Sequence, residues 1–214
     1  MSLQKLFKIL VSIILLLITI QMNAEIKDVH TIIRTRRSIR RYKQTPVPFE
    51  ILKQIVYDAT LAPSASNKQP WEFIIVTEEK NRKVIFDNIY WLTSAGKPPK
   101  ENQPQAYIIV LGNPQISKEY IYDCSAAIQN ILLSAWGYGI GSCWIGSINR
   151  EEIYKNFAIP QHLKIVAIIS LGYPDEQPEI EVSKDTKNLT PYKKQQKLVV
   201  PKRPLAEVLH IEKY

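Results

Sequence analysis

Three short, nearly unbroken apolar runs limit most tightly what this chain can fold into. They are Trp71–Thr77 (WEFIIVT), Tyr107–Leu111 (YIIVL) and Ile165–Leu171 (IVAIISL). Each is rich in β-branched residues and continuous rather than alternating, so each reads as a buried strand. Helical periodicity fills much of the space between them. Asp28–Thr35 reads as a short helix with Asp28 near its start. Phe49 to about Leu61 places Ile51, Leu52, Ile55, Val56 and Ala59 on one face. Glu78–Ile89 and Arg150–Phe157 read as further helices, and Ser142–Gly146 as a short strand. Ser117 to about Tyr138 is a long helix whose stretch Ala126–Trp136 is apolar nearly all round. Such a helix is expected to be buried on every side, in the core or against another subunit.

Tyr90–Gln105 keeps no period and holds Gly96, Pro98, Pro99 and Pro104. A segment of that kind inside a compact domain is often a functional lid. After Gly172-Tyr173-Pro174 the chain turns polar and regains apolar character only at Leu198–Val200 and Leu205–Ile211. This tail is expected to wrap something rather than build a core of its own. No internal repeat and no interior linker divides the chain.

The N-terminus is set apart. Lys5 and Lys8 precede an apolar run from Ile9 to Ile20, and Ala24 could precede a cleavage point. The run is shorter than the ~18 residues of a spanning helix, so residues 1–24 read as a signal peptide, with a retained membrane anchor as the rival. The mature chain, 25–214, is expected to be exported and to form one domain. The net charge of +8 would fall by two, for Lys5 and Lys8, to +6. The two cysteines, Cys124 and Cys143, imply no disulfide framework and read as core. His30, His162 and His210 share no ligand spacing, so no metal is expected.

Two stretches carry the chemistry. Thr35-Arg36-Arg37-Ser38-Ile39-Arg40-Arg41-Tyr42 sets four guanidiniums around a hydroxyl, a grip for phosphate. Taken alone it could equally be a solvated basic turn or a nucleic-acid patch. Export argues against nucleic acid. Ala62-Pro63-Ser64-Ala65-Ser66-Asn67-Lys68-Gln69-Pro70-Trp71 offers amide donors and acceptors at Asn67 and Gln69, and small residues for close approach. It could floor a planar ring with polar edges. Together the two suggest one ligand with a phosphate at one end and an aromatic ring at the other. Gly137-x-Gly139-x-Gly141 follows a helix rather than a strand, so it reads as a helix stop and not as a dinucleotide loop.

Five segments in order resemble the flavin-dependent nitroreductase family. They are Arg36–Arg40, Pro63–Trp71, Gly139–Gly146, Leu171-Gly172-Tyr173-Pro174 and Lys202-Arg203-Pro204-Leu205. The resemblance runs from about Val29 to the C-terminus. It implies FMN, an α+β fold with a central, mostly antiparallel sheet flanked by helices, and an intertwined homodimer with exchanged C-terminal tails and FMN at the interface. By position, Arg36, Arg37, Ser38 and Arg40 would hold the phosphate and ribityl end. Pro63, Ser64, Ala65, Asn67 and Gln69 would line the ring. Ile145 and Gly146 would meet the ring from its other side through backbone groups. Lys202 and Arg203 would close on the phosphate.

The resemblance further implies that electrons pass from NAD(P)H through FMN to a nitroaromatic, quinone or similar electron-poor small molecule, in a ping-pong cycle without a catalytic side chain. A reductive dehalogenase resembling iodotyrosine deiodinase uses the same flavin site, and a flavin-fragmenting enzyme is a remoter relative. A basic module that binds nucleic acid or anionic lipid is the rival of another class. Export sits awkwardly with NAD(P)H, which is scarce outside the cytosol.

Overall fold

The computed structural model describes residues 28–214; the segment read as a signal peptide or anchor lies outside them. Among the described residues no helix is long and apolar enough to cross a membrane.

Four strands form the central sheet: β1 (Trp71–Val76), β2 (Ala106–Gly112), β3 (Gly141–Ile145) and β4 (Lys164–Gly172). Their order is β1-β2-β4-β3, and every neighbouring pair is antiparallel. Among the described residues five α-helices accompany them: α1 (Val29–Thr35), α2 (Phe49–Thr60), α3 (Glu79–Asp87), α4 (Tyr120–Gly137) and α5 (Arg150–Asn156).

The apolar runs lack alternation because both faces of the sheet are covered. Ala106, Ile108 and Val110 of β2 pack with Leu52, Ile55 and Ala59 of α2 and with Ala127, Ile128 and Ile131 of α4. The intervening Tyr107, Ile109 and Leu111 pack on the other face with Ile85 of α3 and Ile153 of α5. Each fully buried Ile or Leu contributes about 1.5–3 kcal/mol. β1 differs from expectation: it is an edge strand, with Glu72 exposed and Phe73 to Ile75 only half-buried. An edge strand has a neighbour on one side only, so its apolar residues are less covered.

The helix ends follow local chemistry. Asp28 caps α1 by accepting the N–H groups of His30 at 3.0 Å and Thr31 at 3.1 Å. α4 stops at Gly137, and Gly139 turns the chain at φ +73°, where a side chain would be strained. One flank of α4 buries Cys124, Ala127, Ile128, Ile131 and Ala135. The other leaves Ile121, Tyr122 and Gln129 exposed.

The tail has more structure than its polarity suggests. β5 (Glu179–Val182), β6 (Tyr192–Lys194) and β7 (Lys197–Lys202) form a second sheet in the order β5-β7-β6. Only Leu198 and Val199 are buried there. Beyond it Leu205, Val208, Leu209 and Ile211 are all exposed.

Candidate functional site

The arginine stretch runs in extended form beside the start of β3. Ser38 makes a parallel bridge to Ser142, and Ile39 N donates to Ser142 O at 2.9 Å. The approach is close because Gly141 has no side chain: a Cβ there would fall 2.8 Å from Ile39 Cγ1. The far end is pinned by Tyr42, whose buried hydroxyl meets Ser170 Oγ at 2.8 Å. Glu176 fixes the middle. Its Oε1 accepts the Arg40 N–H at 2.5 Å and the Arg41 N–H at 3.1 Å.

Arg36, Arg37, Ser38, Arg40 and Lys202 line one cavity of about 290 Å³. Arg34 joins them, whereas Arg41 turns away to Glu176, 3.9 Å off. Ile180, Leu198 and Val200 of the tail sheet close one wall. Among the described residues no carboxylate pairs with the side chains of Arg36, Arg37 or Arg40. Burial pulls the pKa of Arg36 below its ordinary value. Burial, and then the charge of Arg36, do the same to Arg37. Arg37 Nε is buried without a partner. This cluster of cations lacks an anion. Lys202 and Arg203 part company here: Arg203 donates to Glu207 O at 2.9 Å and pairs with the Glu207 carboxylate at 3.7 Å.

Arg40 also borders a second cavity, of about 430 Å³. Its walls are Cys143–Ser147, which include Ile145 and Gly146, and Ile89–Thr93 at the root of the segment read as a lid. The two walls are stitched together: Tyr90 N donates to Ser147 O at 3.0 Å and Asn149 N to Asn88 O at 2.9 Å. Burial raises the pKa of the Cys143 thiol, so it borders the cavity as a neutral group rather than a nucleophile.

The ring-floor stretch lies elsewhere. Pro63, Ser64, Ala65, Asn67 and Gln69 lead into β1, the opposite edge of the sheet. The loop is tightly wound, with Ser66, Asn67 and Gln69 at φ 53°, 54° and 48°. Such backbone costs energy and concentrates at functional sites. Side-chain contacts help to hold it. Gln69 N donates to Ser64 Oγ at 3.0 Å, Gln69 Nε2 to Asn67 Oδ1 at 3.2 Å, and Ala65 N to the buried Asp123 carboxylate at 2.8 Å.

Asp123 begins the buried part of α4. At the other end of that helix Trp136 Nε1 donates to Thr35 Oγ1 at 2.8 Å, next to Arg36. The two stretches are therefore tied to opposite ends of one helix, about 20 Å apart at ~1.5 Å per residue. In one chain the loop lines neither of the two cavities that the arginine stretch borders.

Residues 33–173 match the Nitroreductase family. The chain belongs to that family. It is 37 % identical over 164 residues to an Archaeoglobus fulgidus protein provisionally named NADH dehydrogenase/NAD(P)H nitroreductase, covering 73 % of this chain and 91 % of that one. A crystal structure of a nitroreductase family protein from Clostridium novyi NT is 32 % identical, with a TM-score of 0.64 over 70 % of this chain and 86 % of that chain. A provisionally assigned nitroreductase from Desulfovibrio desulfuricans, solved in complex with FMN, shares the fold at 24 % identity. Its TM-score is 0.66, covering 88 % of this chain and 98 % of that chain.

For a nitroreductase-family chain, the sequence reading missed Arg34, Asp123 and Glu176. Arg34 had a signal, since it stands in the last turn of α1, two residues before Arg36. Asp123 and Glu176 had none, because each acts on backbone far away in sequence.

Proposed function

We propose that the protein is an FMN-dependent oxidoreductase that takes electrons from NAD(P)H and delivers them to nitroaromatic, quinone or similar electron-poor acceptors. The uncompensated cation cluster carries this reading. Arg36, Arg37 and Arg40 are half-buried with no counter-ion among the described residues, and a phosphate supplies the negative charge that they and Lys202 lack and an acceptor for Arg37 Nε. The residues present thus fit an FMN phosphate. The adjoining cavity, reached past Arg40, suits the ring. The names of the Archaeoglobus and Desulfovibrio proteins add NAD(P)H and FMN.

The proposal requires a homodimer. With the ring beside Ile145 and Gly146 of one chain, the floor of Pro63, Ser64, Ala65, Asn67 and Gln69 must come from a second copy. The exposed flank of α4 and the apolar tail beyond Pro204 are surfaces for that contact, the tail by exchange between copies.

When bound, FMN supplies the transfer of a hydride from the donor and of electrons to the acceptor. The chain supplies position and charge. Arg40, shared by both cavities, favours negative charge at the near edge of the ring. Among the described residues of one chain neither a carboxyl nor an imidazole borders the ring cavity, and solvent can supply the acceptor's proton. Donor and acceptor take turns in one place, which makes the order ping-pong. Export from a start near Glu25 belongs to the same proposal. N-terminal sequencing of native protein tests it, since an intact Met1 would mean an anchor.

Purified protein decides the main point. A yellow preparation, or apoprotein that regains flavin absorbance with FMN and then oxidises NAD(P)H, supports the reading. A colourless protein that cannot be reconstituted sinks it. Stopped-flow traces that require donor and acceptor to be bound together would remove the ping-pong order alone.

A further inference from the structure

We propose that Arg150 sets the orientation of the Gly146–Ser147 peptide against the flavin ring and so acts as a positioning residue for the cofactor. The inference rests on the FMN reading above.

Arg150 is the first residue of α5, beside the positive end of the helix dipole, where a cation is disfavoured. Glu151 and Glu152, which follow it, are the residue type that position favours. A cation kept there calls for another reason, and the strand ends provide one. β3 stops at Ile145, opposite Ile168, so β4 before Ile168 has no strand on that flank. Side chains of α5 take the strand's place. The Tyr154 hydroxyl donates to Leu163 O at 2.8 Å and accepts the Ile165 N–H at 3.2 Å. Arg150 Nε donates to Ile165 O at 3.3 Å, and its Nη2 to Gly146 O at 3.1 Å. One guanidinium thus staples the end of β3 to the bare flank of β4.

The Gly146–Ser147 peptide is trans, so its C=O and N–H point opposite ways. Holding Gly146 O toward Arg150 turns the Ser147 N–H away from it. Among the described residues neither that N–H nor the one of Gly146 meets an acceptor, and both residues border the cavity shared with Arg40. On the side where a Cβ would stand, nothing packs against Gly146 within 4 Å. Arg150 makes the hydrogen bond on its carbonyl.

The test compares wild type, Arg150→Met and Arg150→Lys by FMN fluorescence titration, by the spectrum and midpoint potential of bound FMN, and by thermal unfolding. Arg150→Met should bind FMN on the order of tenfold more weakly, with a lower midpoint potential, because the ordered Ser147 N–H is a donor that favours added negative charge. Arg150→Lys reaches one carbonyl and should fall between the two. A residue that only supports the fold would lower the unfolding temperature yet leave affinity, spectrum and potential at their wild-type values, and that result overturns the proposal. Should Arg150→Met not fold, wild-type affinity and potential in Arg150→Lys overturn it equally. Wild type that takes up no FMN would instead remove the flavin reading, a distinguishable outcome.

Discussion

The buried carboxylate of Asp123 accepts the backbone N–H of Ala65 at 2.8 Å, joining the start of α4 to the loop proposed as the floor of the flavin ring. Its other oxygen takes the Ser117 hydroxyl at 3.1 Å. Asp123→Ala strands both donors and should cost about 2–4 kcal/mol. Asp123→Asn keeps one oxygen for Ala65 and should cost less. Urea unfolding measures both. FMN titration should show weaker binding in the order wild type, Asn, Ala. Equal stability for all three would mean that the contact does not hold the loop.

Lys202 and Arg203 should separate cleanly. Lys202 lines the cationic cavity, while Arg203 is engaged by Glu207. Lys202→Ala should weaken FMN by about tenfold, as expected for loss of a charge-assisted contact, and leave riboflavin binding unchanged. Arg203→Ala should alter neither by more than about threefold. The reverse pattern would place the phosphate on Arg203.

Two glycines predict opposite outcomes. In Gly141→Ala the new methyl would fall 2.8 Å from Ile39 Cγ1 and 2.9 Å from its Cβ. That should cost about 1–3 kcal/mol and push the arginine stretch off β3, weakening FMN as well. In Gly146→Ala the methyl meets no protein atom within 4 Å. Unfolding should shift by less than about 0.5 kcal/mol, while FMN affinity falls because the methyl enters the ring cavity. Unfolding curves and FMN titrations of the two variants give the comparison.

The strands of the central sheet, the helices and the five segments were legible because each rests on local pattern: apolar runs, helical spacing, and Gly or Pro stops. What was not legible depends on partners distant in sequence. Glu176 reaches the amides of Arg40 and Arg41 across most of the domain, and nothing beside it signals that. Which arginine faces the cavity depends on how the stretch bridges β3, so Arg34 enters and Arg41 leaves. The edge position of β1 follows from strand order, which an apolar run does not encode. The tail sheet was missed because its strands are short and polar, and pairing with one another rather than a core shapes them.

Alkaline pH should destabilise the fold through its buried thiols. Burial, and then the charge of Asp123, raise the Cys124 pKa to about 12, and burial raises that of Cys143. These are acids whose neutral form the fold prefers. Above the ordinary thiol value near 9.0 the unfolded chain releases protons that the folded chain keeps. Stability is therefore whole below that pH and declines above it, by about 1.4 kcal/mol per pH unit for each thiol until its folded pKa is reached. Urea midpoints at neutral pH and near pH 10 should show the fall; Cys124→Ala, compared with its own neutral-pH midpoint, should show a shallower one. A flat profile would contradict this account.

The central claim is that arginines of one copy and the floor loop of another build each flavin site. A mixed dimer tests it most directly. One chain carries Arg36→Ala with Arg40→Ala, and the other carries Asn67→Ala with Gln69→Ala; each bears its own affinity tag, and the mixed species is purified through both. Each variant alone should bind no FMN. In the mixed dimer one site combines both lesions and the other combines intact arginines with an intact floor, so one FMN per pair of chains should bind. A mixed dimer that remains without FMN would show that each chain builds its own site, and would contradict the account.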